Sequence, residues 1–129
     1  MADKIVLVDT SILIDFFRKT DKSNYILISL VRNGYTYNIS AITEYEIYTG
    51  AALGQTDFWD NFLLKTEVLP FDKTVAKVAA DLNKELKKKR KLIDNADLFI
   101  AATAIANNLP FATLNKKHFN RIDSIMLVE

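Results

Sequence analysis

At 129 residues the chain has the length of one domain, expected to span residues 1–129, and its 50% hydrophobic content is enough for one core. It has no cysteine and a single histidine, His118, which excludes disulfide scaffolds, Cys-ligated zinc, thiol catalysis and any site that needs two histidines. The net charge of +1 argues against duplex DNA binding by overall charge alone, but not against local basic patches. No signal-peptide pattern precedes Asp9, and no apolar run approaches the ~20 residues of a membrane span. The expectation is a soluble, cytoplasmic protein without membrane contact.

Lys4-Ile-Val-Leu-Val8 is short, β-branched and apolar after Lys4, and reads as a strand buried on both faces of a parallel sheet. Asp9-Thr10-Ser11 are good helix caps ahead of Ile12, Leu13, Ile14, Phe16 and Phe17. A second helix is expected over Ser23 to Arg32, closed by Asn33-Gly34. Tyr37 to Ser40 reads as a strand, and Thr43 as the cap of a helix running to about Leu53. Asp57 opens a helical stretch through Leu64. Thr66 to Leu69 reads as a strand stopped by Pro70. Asp72 caps a long amphipathic helix with Val75, Val78, Ala79, Leu82 and Leu86 on one face, and its end carries Lys84, Lys87, Lys88, Lys89, Arg90 and Lys91. Ile93-Asp94-Asn95-Ala96-Asp97 starts a helix with Leu98, Ala101, Ala102 and Ile105 as its core face, ended by Asn107-Asn108. Phe111 to Thr113 is a further strand, and Ile125 to Val128 a candidate fifth. Strands alternating with helices give an α/β fold with a mainly parallel sheet of 4–5 strands and helices on both faces.

Open parallel sheets place their sites beyond the carboxyl ends of the strands. Asp9 and Asn115 follow predicted strands. Glu46 lies one turn into the helix after the second strand, with Glu44 an equal candidate, and Asp97 lies in the first turn of the helix before the last one. Carboxylates gathered there without histidine or cysteine make a hard-oxygen site suited to Mg²⁺ or Mn²⁺. The chemistry that fits is phosphoryl transfer to water, with no protein nucleophile. Each residue also has a plainer role: Asp9 as a helix cap, Glu46 as a solvated helix residue, Asp94 or Asp97 as partners of a helix dipole.

Four blocks resemble PIN-domain proteins: Val6-Leu-Val-Asp-Thr-Ser-Ile-Leu-Ile14, Ile42-Thr-Glu-Tyr-Glu-Ile-Tyr-Thr-Gly50, Asp97-Leu-Phe-Ile-Ala-Ala-Thr-Ala104 and Ala112-Thr-Leu-Asn115 with Phe119. They stand in the family's order across nearly the whole chain, and the small size is most similar to VapC-type toxins of toxin–antitoxin pairs. The resemblance implies a three-layer α/β/α sandwich and a Mg²⁺- or Mn²⁺-dependent endoribonuclease. It implies Asp9, Glu46 and Asp97 as metal and catalytic carboxylates, and so favours Glu46 over Glu44. It implies that Thr113 and Asn115 orient a carboxylate or water. Thr10 and Asp94 stand beside these positions as supporting or substitute groups. His118 replaces an acid that many members carry before the Phe, which bears on a second metal more than on the first. A cognate antitoxin and homodimerisation are also implied.

Binding RNA needs cations. Lys116, Lys117 and Arg121 adjoin the last block, and Lys87 to Lys91 form a second basic run. Tyr45, Tyr48 and Trp59 are candidates for base stacking or for packing. The aromatic stretch from residue 35 to 64 is expected to hold part of a partner surface. A PIN-like scaffold that has lost cleavage is the alternative. A phospho-receiver domain is disfavoured, because Asp9 has no acidic neighbour and the third strand runs into Leu69-Pro70-Phe71-Asp72.

Overall fold

In the computed structural model, which describes residues 4–18, 26–52 and 54–128, strand β1 is Lys4–Val8, apolar after its exposed first residue. Its side chains alternate between two cores. Leu7 joins the buried residues of one cluster, while Val6 and Val8 join the other. Helices α1 (Thr10–Arg18) and α2 (Ile26–Arg32) follow. The predicted start of α2 at Ser23 falls outside the described residues.

Strand β2 (Tyr35–Ser40) begins two residues earlier than the sequence suggested, because Gly34, at φ 90, completes the turn at once. Ser40, not Thr43, caps α3 (Ala41–Gly50): its hydroxyl accepts from the Thr43 amide at 3.0 Å. Helix α4 (Thr56–Leu64), strand β3 (Glu67–Leu69) and helix α5 (Lys73–Lys88) come next. Asp72 caps α5 as its position suggested, accepting from the Val75 amide at 3.0 Å. Replacing Asp72 by Ala should therefore cost about 1 kcal/mol of stability. The check is a lower urea midpoint with an unchanged slope.

Helix α6 (Asn95–Ala106), strand β4 (Phe111–Ala112) and the short helix α7 (Lys116–Phe119), which the sequence pattern did not suggest, complete the fold. Helices α5 and α6 end alike. Arg90 donates to Lys87 and Lys91 to Leu86; Asn108 donates to Ile105 and Leu109 to Ala104. In each case the turning residue is left-handed, Arg90 at φ 57 and Asn108 at φ 54.

The sheet order is β3-β2-β1-β4, every pair parallel. The expected fifth strand is reduced to one parallel bridge, Phe111↔Leu127. On one face Leu7 and Phe111 pack with α5 and α6. On the other, Val6, Val8 and Ile39 pack with Ile12, Leu13, Leu27, Ile47 and Trp59. This is the expected α/β/α layering. Trp59 is 2% exposed and its ring lies 5.1 Å from Phe17, so it serves the core and is not available to stack a base. Tyr45, Tyr48, Phe58 and Leu64, from the same stretch of chain, are exposed. No helix among the described residues is long and apolar enough to cross a membrane.

Candidate active site

β1 is followed on one side by β2 and on the other by β4, so strand order reverses between β1 and β4, where a crevice opens beyond the strand ends. Asp9 leaves β1 at that point, its amide bonded to the Ala112 carbonyl at 2.9 Å. It is 2% exposed. A carboxylate so buried needs donors, and hydroxyls supply them. Ser11 donates to Oδ2 at 2.8 Å and Thr113 donates to the same oxygen at 2.7 Å. Among the described residues no hydrogen bond falls on Oδ1, and none reaches the Asp9 side chain from a backbone amide. The helix-capping reading of Asp9 therefore lacks the bond that defines a cap.

Ser11 also accepts from the Leu114 amide at 3.1 Å, and Thr113 from the Asn115 amide at 3.0 Å. These contacts fasten the loop after β4 to the start of α1. Thr113 thus holds the Asp9 carboxylate. Asn115 contributes its backbone, at the N-cap of α7 without a side-chain capping bond.

A second chain of hydroxyls runs to α3. Thr10 Oγ1 lies 2.7 Å from Glu46 Oε1 and 2.9 Å from Thr43 Oγ1, and Ser40 donates to Thr43 at 3.3 Å. Thr10 has one proton and an ionised carboxylate can only accept, so that proton goes to Glu46 and Thr43 supplies the one between the threonines. Glu46 is thereby held against the residue next to Asp9. Ser11 and Thr43 were not singled out from the sequence for this role. The signal for Ser11 is its spacing, two residues after a buried carboxylate.

Asp97 enters from the first turn of α6. Its carboxyl is raised above the ordinary 3.8, first by burial, then by the negative charges of Asp9 and Asp94, while His118 pulls the other way. His118 Nδ1 lies 3.6 Å from Asp97 Oδ2, with the imidazole about half exposed. A carboxyl raised in the folded state holds its proton more tightly there than in the unfolded chain. Its ionisation therefore weakens the fold as pH climbs above 3.8. Asp97→Asn should raise Tm of chelator-treated protein at neutral pH, with the gain fading as pH falls into the ordinary carboxylate range. Thermal melts across that pH range check this.

The donor set suits a hard cation: an unbonded carboxylate oxygen on buried Asp9, and an Asp97 carboxyl strained by like charge that a cation would relieve. The expected gathering of three carboxylates is not seen. Among the described residues no three Asp, Glu or His groups stand together as a metal-holding group. Asp9 and Asp97 feel each other's charge, whereas Glu46 finds its donor in Thr10, which is the cheaper arrangement for carboxylates that repel. Asp94 is exposed at the N-cap of α6 without a side-chain capping bond, and adds to the charge on Asp97.

The model of a family described as the PIN domain matches residues 6–125. The chain is 36% identical over 118 residues to Ribonuclease VapC1 of Methanocaldococcus jannaschii, covering 91% of this chain and 80% of that protein. It is similar to a chain of VapBC2 from Rickettsia felis bound to a DNA fragment from their promoter, with a TM-score of 0.80 and 30% identity over 96% of this chain and 97% of that one. It is also similar to a chain of a toxin–antitoxin complex from Klebsiella pneumoniae, with a TM-score of 0.71 and 25% identity over 94% and 95% of the two chains. The matched stretch runs from within β1 to beyond α7 and takes in Asp9, Glu46, Asp97 and Thr113, so the chain belongs to the PIN-domain family.

Proposed function

We propose that this protein is a Mg²⁺- or Mn²⁺-dependent endoribonuclease of the VapC type, acting in the cytoplasm and held in check by a cognate antitoxin protein. The observation that carries the reading is the carboxylate pair at the strand-order reversal. Asp9 is buried with Oδ2 fixed by Ser11 and Thr113, and, after burial, its negative charge is what most raises the Asp97 carboxyl. The ribonuclease name of a relative 36% identical supports the activity. The toxin–antitoxin complex of a similar chain supports the partner. Exposed Tyr45, Tyr48, Phe58 and Leu64 on α3 and α4 offer apolar surface for that partner or for a second copy in a homodimer.

Asp9 and Asp97 would hold the cation, with Glu46 drawn in from Thr10. When bound, the ion neutralises phosphate charge and makes a water more acidic. The chain's own groups do the rest. Asp9 and Asp97 orient the attacking water, whose oxygen bonds to phosphorus as the ester oxygen opposite departs. Ser11 and Thr113 keep Asp9 from rotating. Until the cation draws it in, Thr10 holds Glu46 beside Asp9. His118, beside Asp97, is placed to hydrogen-bond water or a phosphate oxygen. Lys116, Lys117 and Arg121 follow the site and offer charge to the strand.

The experiment is RNA cleavage by purified, antitoxin-free protein with Mg²⁺ or Mn²⁺. Cleavage abolished by EDTA is the expected result, and cleavage that persists in EDTA rules out the metal mechanism. A second reading, a PIN-like scaffold that binds RNA or a partner without cutting, draws on the absence of a three-group metal cluster among the described residues. It predicts bound, intact RNA with either metal.

A further inference from the structure

The two basic runs, far apart in the sequence, meet in the fold. Arg90, Lys91, Leu92, Lys117, Asn120 and Arg121 line one open groove of about 420 Å³. Two contacts tie its walls together: an ion pair between Lys89 and Asp123, and a hydrogen bond from Arg121 Nη1 to the Leu92 carbonyl at 3.0 Å. Lys89 and Arg121 are thus occupied in building the groove. Arg90, Lys91 and Lys117 make no ion pair among the described residues, although Lys91 helps hold the Asp123 carboxyl below its usual range.

Two further observations give the groove a direction and a ligand. Lys117 also lines the cavity of about 350 Å³ formed by Leu114, Asn115, Lys116 and His118, and His118 Nδ1 lies 3.6 Å from Asp97, so the groove adjoins the candidate active site. Arg90 stands at φ 57, a left-handed position that glycine takes at no steric cost and that arginine does not. That conformation ends α5, as Asn108 ends α6, and it sets the Arg90 side chain in the groove lining. Leu92 is the single apolar residue of the lining, which suits regularly spaced phosphates better than a peptide that needs apolar anchors.

We propose that Arg90, Lys91 and Lys117 form a phosphate track for the RNA strand flanking the scissile bond. The inference rests on the ribonuclease reading and names how that same site takes its substrate. Guanidinium groups grip phosphate oxygens through paired N–H donors, and ammonium groups add point charge. Such pairings give affinity without sequence choice and make it depend on salt.

The test is binding of a labelled single-stranded RNA in EDTA, where the metal reaction is off, as a function of salt. The variant Arg90→Gly/Lys91→Ala/Lys117→Ala should bind at least about tenfold more weakly at low salt, and the slope of log K against log salt should flatten by about 2, or ~0.7 for each phosphate no longer neutralised. Its Tm should not fall, since Arg90→Gly relieves the backbone. A control lacking Arg32, Lys65 and Lys73 should keep the wild-type slope. Equal binding and slope in the groove variant and the wild type, or an equal loss in the control, overturns the track while leaving cleavage untouched. A groove variant that keeps RNA but loses a polyglutamate peptide makes the groove a peptide site and also overturns it. Wild-type protein that neither binds nor cleaves RNA overturns both the track and the ribonuclease reading.

Discussion

Replacing Asp9 by Asn should cut RNA cleavage by more than about 100-fold, because loss of a mere supporting partner around a metal costs ~10–100-fold and Asp9 is proposed as a ligand. The fold should survive. Both hydroxyls that touch Asp9 meet Oδ2, and an asparagine carbonyl oxygen in that place still accepts from Ser11 and Thr113. The amide nitrogen then takes the Oδ1 position, where it can donate but cannot ligate. Removing a buried negative charge next to Asp97 should leave Tm unchanged or higher in the absence of metal. Thr113→Val keeps the carboxylate but removes one of its two anchors, so its loss should lie within ~10–100-fold. Single-turnover cleavage with thermal melts of the same samples separates catalysis from folding.

The second large effect is structural. Phe119→Ala should cost about 3–5 kcal/mol of stability. Phe119 is fully buried and its ring lies 4.7 Å from Phe111 at 63°, an edge-to-face pair. It is also the one buried residue of α7. Removing it leaves a cavity under β4 and frees the segment that carries Asn115, Lys117 and His118. Denaturation should show a lower midpoint, and cleavage by the folded fraction should fall as well. Phe119→Leu fills part of the cavity and should recover part of both losses.

How far the sequence could be read follows from the range of each interaction. Asp9 stood out because a carboxylate directly after an apolar strand is conspicuous, and it leaves β1 where the strand order reverses. Strand and helix existence was clear from Lys4 to Val8 and from Val75 to Leu86, where periodicity is strong. The α3 cap was not, because Ser40 and Thr43 are hydroxyls three residues apart and either can cap. Glu46 stood level with Glu44 until the resemblance favoured it, and its tie to Thr10 depends on side-chain rotamers that no pattern encodes. The convergence of Arg90 with Lys117 depends on how the end of α5 meets the loop around α7. That is a long-range approach held by Lys89–Asp123 and Arg121–Leu92. Trp59 reads from sequence as either surface or core, and only packing against Phe17 and Phe62 decides.

Mn²⁺ uptake by chelator-stripped protein bears most directly on the claim that Asp9 and Asp97 make a cation site. Followed by the electron paramagnetic resonance of free Mn²⁺, the wild type should take up the ion. Asp9→Asn and Asp97→Asn should each weaken uptake by more than about tenfold, and the double variant should show none above background. Equal uptake by the wild type and the double variant would contradict the site.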